Sequence, residues 1–337
     1  MPTASSQFET LLSGYFEKLL EDVPTFAAAY AGLRSGEGKL GRAGIDFHRN
    51  RERARRHALR SLENISPLEL TNEQQIDRLA LRAQLLKESE DYARGRHTLE
   101  PNAPEQLLNI LLHELLRGDD VPKRAAENLR SLLRAAPDFL EEASNVIQKP
   151  EKVWLRTMQQ TVSGGPILLE AVGKFLAAKA SYSEDAGRIR STQRALDRYA
   201  KKVKERPLAP AGSFAIGSLA LQRRVHDELG LDYTLGQVEA VALGEVNRVT
   251  KLLRETAGRL GRKDSPDKLI AEWRSQWRPQ KPLLELYQEE TRRVAENFRK
   301  AKAVSFPKGD ELQIKPVPEF LRQLIPTAAY TDRKSVV

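Results

Sequence analysis

Apolar residues recur every three or four positions along most of the chain, which is the spacing of one face of an α-helix. The first such stripe begins at Phe8, and a leucine-rich stripe with the same period occupies residues 107–116. Runs of β-branched residues bounded by turns, which would indicate strands, are almost absent from the sequence. The pattern therefore predicts a mainly α protein, a multi-helix array of about a dozen helices.

Local signals predict where several of these helices begin and end. A threonine followed three positions later by a glutamine is typical of a capping box at a helix start. Two such pairs are present, Thr71 with Gln74 and Thr234 with Gln237. Helix breaks are predicted at glycine and proline positions, namely Gly118, Pro122, Pro137, Pro150, the SGGP segment 163–166 and Pro207.

The sequence changes character near its C-terminal end. Residues 1–304 are predicted to form a helical domain, which can divide into two subdomains near 205–212. The segment LQIKPV (312–317) has an extended, β-like pattern, and four prolines lie between 307 and 326, which a helix would not accept. Residues 305–331 are therefore interpreted as the start of another domain. The final six residues, 332–337, are one translation of a widely used sequencing adapter and are interpreted as an artefact.

Charge and composition limit the class of protein. Lysine and arginine number 55 against 46 aspartates and glutamates, and there is no cysteine. The densest basic run is residues 48–60, which we interpret as a solvated helix face because no base-stacking aromatics accompany it. Neither a leader peptide nor an apolar stretch of membrane-spanning length is recognisable, so the sequence predicts a cytoplasmic protein without nucleic-acid or membrane contacts.

A glycine-rich loop at residues 32–44 contains a literal G-x-G-x-x-G at Gly36, Gly38 and Gly41. A dinucleotide-binding fingerprint needs a buried strand before the loop, but the preceding TFAAAYAG has a helical character. The phosphate-binding lysine pattern fails as well, because Lys39 is followed by Leu40. We therefore predict an ordinary connecting loop.

The neighbours of His113 and Glu114 do not complete a metal site. A helical zinc pair needs a second histidine four residues after the first, but that position is Arg117. The related HExxxGH spacing places Gly118 correctly but ends on Asp119 instead of histidine. His113 is predicted to be a surface residue beside a C-capping glycine.

The other histidines do not suggest chemistry by their spacing. The remaining histidines are His48, His57, His97 and His226. None of these four has a second histidine at the spacing of a metal-ligand pair. The sequence therefore assigns no catalytic and no metal-binding residue, and substrate-binding residues cannot be assigned.

Five segments in order resemble the bacterial domain-of-unknown-function family DUF885. They are residues 8–33, 59–85, 136–164, 210–249 and 278–331, and they include FAIG (214–217) before LDYT (231–234) and the proline-rich PVPEF (316–320) before IPTAAY (325–330). The resemblance therefore spans about residues 7–331.

The resemblance implies a mainly helical, zinc-dependent peptidase whose metal lies in an HExxxGH motif on a helix of the C-terminal half. In such a site two histidines bind zinc, and the motif glutamate activates the metal-bound water. That motif would follow the segment that ends at Thr331, so residues 305–331 are expected to be the start of a truncated catalytic domain. The chain is then an N-terminal portion, inactive by itself. Peptides are the expected substrates of the intact protein, and zinc is expected outside this chain.

Two other classes of function stay open. An all-helical binding or scaffolding protein would use the basic helix 48–60 to hold an acidic partner or nucleic acid. A purely structural helical domain that oligomerises is the third possibility.

Overall fold

The computed structural model describes residues 3–29, 31–118, 121–179, 183–261, 265–306, 312 and 314. These residues group into two compact units, one reaching Tyr233 and the other beginning at Thr234. The segment 205–212, where the sequence suggested a break, follows α9 within the first unit. The predicted extended segment 312–317 and the regions 305–331 and 332–337 lie largely outside the described residues.

Thirteen α-helices and no strand are found in the part of the chain that the structure describes, which confirms the mainly α prediction. The first unit contains α1 (Ala4–Asp22), α2 (Pro24–Ala29), α3 (Ile45–Glu63), α4 (Asn72–Ala93), α5 (Arg96–Leu99), α6 (Ala103–Arg117), α7 (Pro122–Val146), α8 (Lys152–Lys179), α9 (Ser183–Lys204) and α10 (Ser218–Arg223). The second contains α11 (Leu235–Arg259), α12 (Pro266–Gln276) and α13 (Leu283–Ala301).

Both predicted capping boxes are present. The Thr71 hydroxyl accepts from the backbone N–H of Gln74, and the Gln74 side chain accepts from the backbone N–H of Thr71. The same reciprocal pair at Thr234 and Gln237 starts α11. Each box satisfies two backbone donors that a helix start otherwise leaves without partners.

The core of the first unit lies where α6, α7, α8 and α9 pack together. Fully buried leucines from all four helices fill it, each contributing roughly 1.5–3 kcal/mol through burial of its side chain. They include Leu107 and Leu111 of α6, Leu132 and Leu133 of α7, Leu176 of α8 and Leu196 of α9.

Two prolines do not end their helices, so the breaks predicted at Pro137 and at 163–166 are wrong. Pro137 lies inside α7 and Pro166 lies inside α8. An interior proline removes one backbone hydrogen bond and costs about 3 kcal/mol. In α7, Phe139 and Leu140 are buried immediately after the proline, and this packing offsets the loss.

A second apolar cluster joins the N-terminal helices of the first unit. Phe8 and Tyr15 of α1 pack with Leu62 of α3 and with Leu81 and Leu85 of α4. Through this cluster the N-terminal stripe predicted from the sequence packs with α3 and α4.

The second unit has little core of its own. Its buried side chains, within the described residues, are Ala257 of α11 and Leu269 of α12. Large apolar side chains of all three helices are exposed instead, among them Val246, Leu253, Trp273, Trp277, Tyr287 and Phe298. Across both units, no helix among the described residues is long and apolar enough to span a membrane.

Candidate functional site

The His113–Glu114 pair lies near the end of α6, and Glu114 does not face solvent. Its side chain is 1% exposed. Arg117, one turn later, donates from Nη1 to Glu114 Oε1 at 3.4 Å, and Asn128 of α7 donates from Nδ2 to Glu114 Oε2 at 3.0 Å. The glutamate of the motif is therefore held between α6 and α7.

A second buried acid completes this arrangement. Glu37, in the loop before α3, has its Oε1 atom 3.0 Å from Nη2 of Arg117 and its Oε2 atom 3.1 Å from Nε of Arg124. Asn128 donates to Glu37 as well, at 3.2 Å. We call Glu37, Glu114, Arg117, Arg124 and Asn128 the buried ion-pair cluster. It fastens the glycine-rich loop to α6 and α7.

The residues of this cluster do not fit a zinc ion. Both oxygens of Glu114 already accept hydrogen bonds, and the buried guanidinium of Arg117 occupies the turn where a second histidine would have to lie. Burial raises the pKa of Glu114, with Asn128 and Arg117 opposing that shift. Asp119 lies outside the described residues. Among the residues that are described, no three His, Cys, Asp or Glu side chains are grouped so that they could hold a metal ion.

The surroundings of His113 differ from those predicted. His113 is half-buried, its Nδ1 atom is buried without a hydrogen-bond partner, and burial followed by the charge of Arg117 lowers its pKa. The prediction of a surface histidine is wrong, because the polar side of α6 faces the buried ion-pair cluster. Gly118 does cap the helix, as predicted, and a Cβ there would lie 2.5 Å from the ring of Phe175.

The glycine-rich loop is shaped by close packing. A Cβ on Gly36 would lie 2.4 Å from the carbonyl oxygen of Pro24, and one on Gly41 would lie 2.9 Å from the ring of the same proline. Gly38 and Gly41 also adopt left-handed backbone conformations, with φ of +67° and +78°. The three glycines therefore let the loop pack against α2 and α7, which accounts for them without a phosphate.

The basic run 48–60 is less exposed than the sequence suggested. Arg51 is 8% exposed, and it donates to Glu88 of α4 at 3.4 Å. Arg55 donates to the same carboxylate at 2.6 Å and to Glu52 at 3.3 Å. The interpretation of a solvated helix face is wrong for these residues, because α3 directs them toward acids on α4 and on α3 itself.

A cavity of about 340 Å³ lies beside this ion-paired surface of α3. It is bordered by α3, α4, α5, the N-terminal end of α6, α7 and α9. Its floor is apolar and contains Ala143, Val146 and Ile147. Charged residues from four segments complete the wall, namely Arg42, Arg55, Glu88, Asp91, Arg96 and Glu100.

Two histidines that are 49 positions apart in sequence meet at this cavity. The ring centroids of His48 and His97 are 5.0 Å apart, and Tyr92 stacks on His97 at 4.6 Å with an interplanar angle of 3°. Burial lowers the pKa of His48 to about 4, and His97 and Arg55 act in the same direction. Burial also lowers the pKa of His97. The pair is therefore neutral at pH 7. Local spacing could not reveal it, because different helices supply the two rings.

The sequence profile of DUF885, bacterial proteins of unknown function, matches residues 24–334. The chain belongs to DUF885. This family match covers nearly the whole sequence and agrees with the five segments identified above. None of the curated proteins matches the sequence significantly.

A solved structure shares the fold of this DUF885 chain. It is described as that of a "putative lipoprotein of unknown function" from Shewanella oneidensis. The TM-score is 0.63 at 15% sequence identity, and the similarity covers 93% of this chain and 61% of the other. The chain therefore spans less than two thirds of that protein's length. At this identity the similarity establishes the fold alone.

Proposed function

We propose that this chain forms the helical, substrate-enclosing part of a zinc-dependent peptidase and that its described helices do not supply the metal ligands. The observation that carries the proposal is membership of DUF885 over residues 24–334, joined to the resemblance of that family to zinc peptidases. Peptides are the proposed substrates.

The geometry around Glu114 supports the second part of the proposal. A glutamate that activates a metal-bound water must be free to approach it, whereas Glu114 is held by Arg117 and Asn128 in a buried cluster. The described residues would contribute shape and charge to the enzyme. Zinc, when bound elsewhere in the protein, would supply Lewis-acid activation of water and of the peptide carbonyl.

The test compares two proteins. One is produced from the complete reading frame of the native gene, and the other is the 337-residue chain. We expect the first to contain about one zinc per molecule by elemental analysis and to cleave fluorogenic peptides until 1,10-phenanthroline is added. We expect the second to do neither.

A variant in the first protein tests the role of α6. His113→Gln should leave peptide cleavage unchanged, because His113 is not placed at the metal. The proposal fails if the protein from the complete reading frame shows no chelator-sensitive cleavage. It also fails if the 337-residue chain cleaves peptides in a way that depends on His113.

The alternative of a nucleic-acid-binding or acidic-partner-binding scaffold depends on the arginines of α3. Arg51, Arg55 and Arg56 already contact Glu88 or Glu52, at 3.4, 2.6 and 2.6 Å. Phosphate contacts would therefore fall mainly to exposed arginines such as Arg53 and Arg60. A gel-shift titration across salt concentrations tests this alternative, which requires affinity that falls steeply with the logarithm of salt.

A cytoplasmic location of the protein is proposed from its sequence alone. The solved structure that shares this fold is described as a lipoprotein, which suggests the cell envelope as the competing location. Cell fractionation of the native host with an antibody against this chain distinguishes the two.

A further inference from the structure

The cavity bordered by α3, α4, α5, α6, α7 and α9 has no part in the function proposed above. Its volume, about 340 Å³, is at the lower end of the range of about 300–1,000 Å³ found for small-molecule sites. Its lining combines an apolar floor with a few polar groups that converge from separate helices, which is the usual composition of such sites.

The charges around the cavity are matched except for one. Glu88 pairs with Arg55 at 2.6 Å, and Asp91 and Glu100 pair with Arg96 at 3.3 and 2.6 Å. These contacts occupy all three lining carboxylates. Three arginines border the cavity, and Arg42 alone among them makes no ion pair within the described part of the chain. The lining therefore contains three arginines and three acids, and Arg42 is the guanidinium that has no ion-pair partner among the described residues.

The glycine-rich loop holds Arg42 at this place. Gly41 adopts a left-handed conformation against Pro24, and the backbone N–H of Ala43 donates to Glu142 of α7 at 3.3 Å. Arg42 is thus fixed through its backbone on both sides, while its side chain is exposed. The loop that resembles a nucleotide fingerprint in sequence thus places Arg42 at the border of the cavity.

Other polar groups at the cavity also lack partners. The Nδ1 atom of His97 is buried without a hydrogen bond, which is costly unless another molecule supplies one. The exposed side-chain amides of Asn102, the N-cap residue of α6, and of Gln106 in its first turn also border the cavity and make no hydrogen bond within the described residues. The N-terminal end of α6 carries partial positive charge, which adds to that of Arg42.

The remaining surface suits an apolar or planar body. Val146 and Ile147 are 3% exposed and form the floor with Ala143. The rings of His48 and His97 line the same cavity, and the second of them is stacked on Tyr92. Neutral imidazoles can pack against an aromatic ring and still hydrogen-bond through their edges.

We propose that this cavity binds a small monocarboxylate with an apolar or aromatic body. The carboxylate faces Arg42 and the N-terminal end of α6, and the body lies between the floor and the His48–His97 pair. This inference does not depend on peptidase activity, and it holds for the 337-residue chain.

A ligand series on the unmodified chain provides the first test. 3-Phenylpropionate, 3-phenylpropionamide and 3-phenylpropylamine share one ring and differ in the charge of the end group. Titration by calorimetry or ligand-observed NMR should show binding of the acid, with the amide about tenfold weaker and the amine weaker still. A tenfold difference corresponds to about 1.4 kcal/mol. Equal binding of acid and amide, or no binding of the acid at about 10 mM, overturns the proposal.

Variants locate the site. Arg42→Ala should weaken binding of 3-phenylpropionate by about tenfold, because it removes the unmatched guanidinium. Arg53→Ala is the matched control, since Arg53 is exposed on α3 and does not border the cavity. It should change the affinity by less than about twofold. An equal effect of both variants places binding elsewhere and refutes the assignment.

Discussion

The guanidinium of Arg117 lies 3.0 Å from the carboxylate of Glu37, and the two side chains are 2% and 5% exposed. Glu114 lies on the other side of Arg117, at 3.4 Å. His113 and Glu114 resemble a fragment of a metal motif in the sequence, but Glu114 belongs to the buried ion-pair cluster. Arg117 pairs with both buried acids, which come from different segments, and Arg124 adds a second cation beside Glu37.

Arg117→Ala should lower the free energy of unfolding by about 3–5 kcal/mol, because it leaves both acids buried without their shared cation. Urea denaturation followed by circular dichroism measures the loss. Arg134→Ala, at an exposed position on α7, is the control and should cost less than about 0.5 kcal/mol. A loss below about 1 kcal/mol for Arg117→Ala would show that the cluster contributes little.

Gly36→Ala should be among the most destabilising alanine substitutions in the chain, costing about 2–4 kcal/mol. The added Cβ meets backbone atoms of α2, the Pro24 oxygen at 2.4 Å and the Ala28 nitrogen at 2.9 Å, and these cannot rotate away. Gly14→Ala is the matched control. Gly14 lies inside α1 with nothing within 4 Å of its added Cβ, so alanine should stabilise by up to about 1 kcal/mol. Thermal melting of the two variants should therefore move in opposite directions.

Features fixed by neighbouring residues could be predicted from the sequence. The capping boxes at Thr71 and Thr234 depend on a side chain three positions away, and both form. The helical stripe at 107–116 likewise buries Leu107 and Leu111. The helix break predicted at Pro137 is wrong, because packing of the residues that follow the proline outweighs its local preference to end a helix.

Features fixed by distant partners could not be predicted. The closer of the two acids that bind Arg55 is Glu88, which is 33 positions away on another helix. His48 and His97 are likewise brought together by packing and not by local spacing. A periodicity argument assigns such residues to the polar side of a helix, but it cannot tell whether that side faces water or another helix.

Stability should fall as the pH falls from about 7.5 to about 5.5, partly because of His48. Its folded pKa is about 4 and its ordinary value is 6.5, so in this window the unfolded chain takes up a proton that the folded chain does not. The contribution is fully present above pH 6.5 and is lost as the pH approaches 4. We expect about 1 kcal/mol over the measured window.

His48→Phe should remove this part of the pH dependence in denaturant titrations at the two pH values. His57→Phe, at an exposed position of the same helix, should preserve it. If both variants keep the wild-type slope, His48 is not held neutral by its surroundings, and the description of the histidine pair at the cavity is wrong.

The apolar side chains of the second unit lead to the last prediction. Val246 and Leu253 are 60% and 47% exposed and lie seven positions apart on α11, so they share one face of the helix. Exposed apolar faces of this kind bind apolar dyes and promote association. The double variant Val246→Gln and Leu253→Gln should therefore lower the fluorescence of bound anilinonaphthalene sulfonate. It should change the free energy of unfolding by less than about 0.5 kcal/mol, since little burial is lost.

Leu111→Gln is the contrasting case, because that side chain is 0% exposed and its substitution should cost at least about 2 kcal/mol. A comparable loss for the double variant would mean that α11 packs through this face.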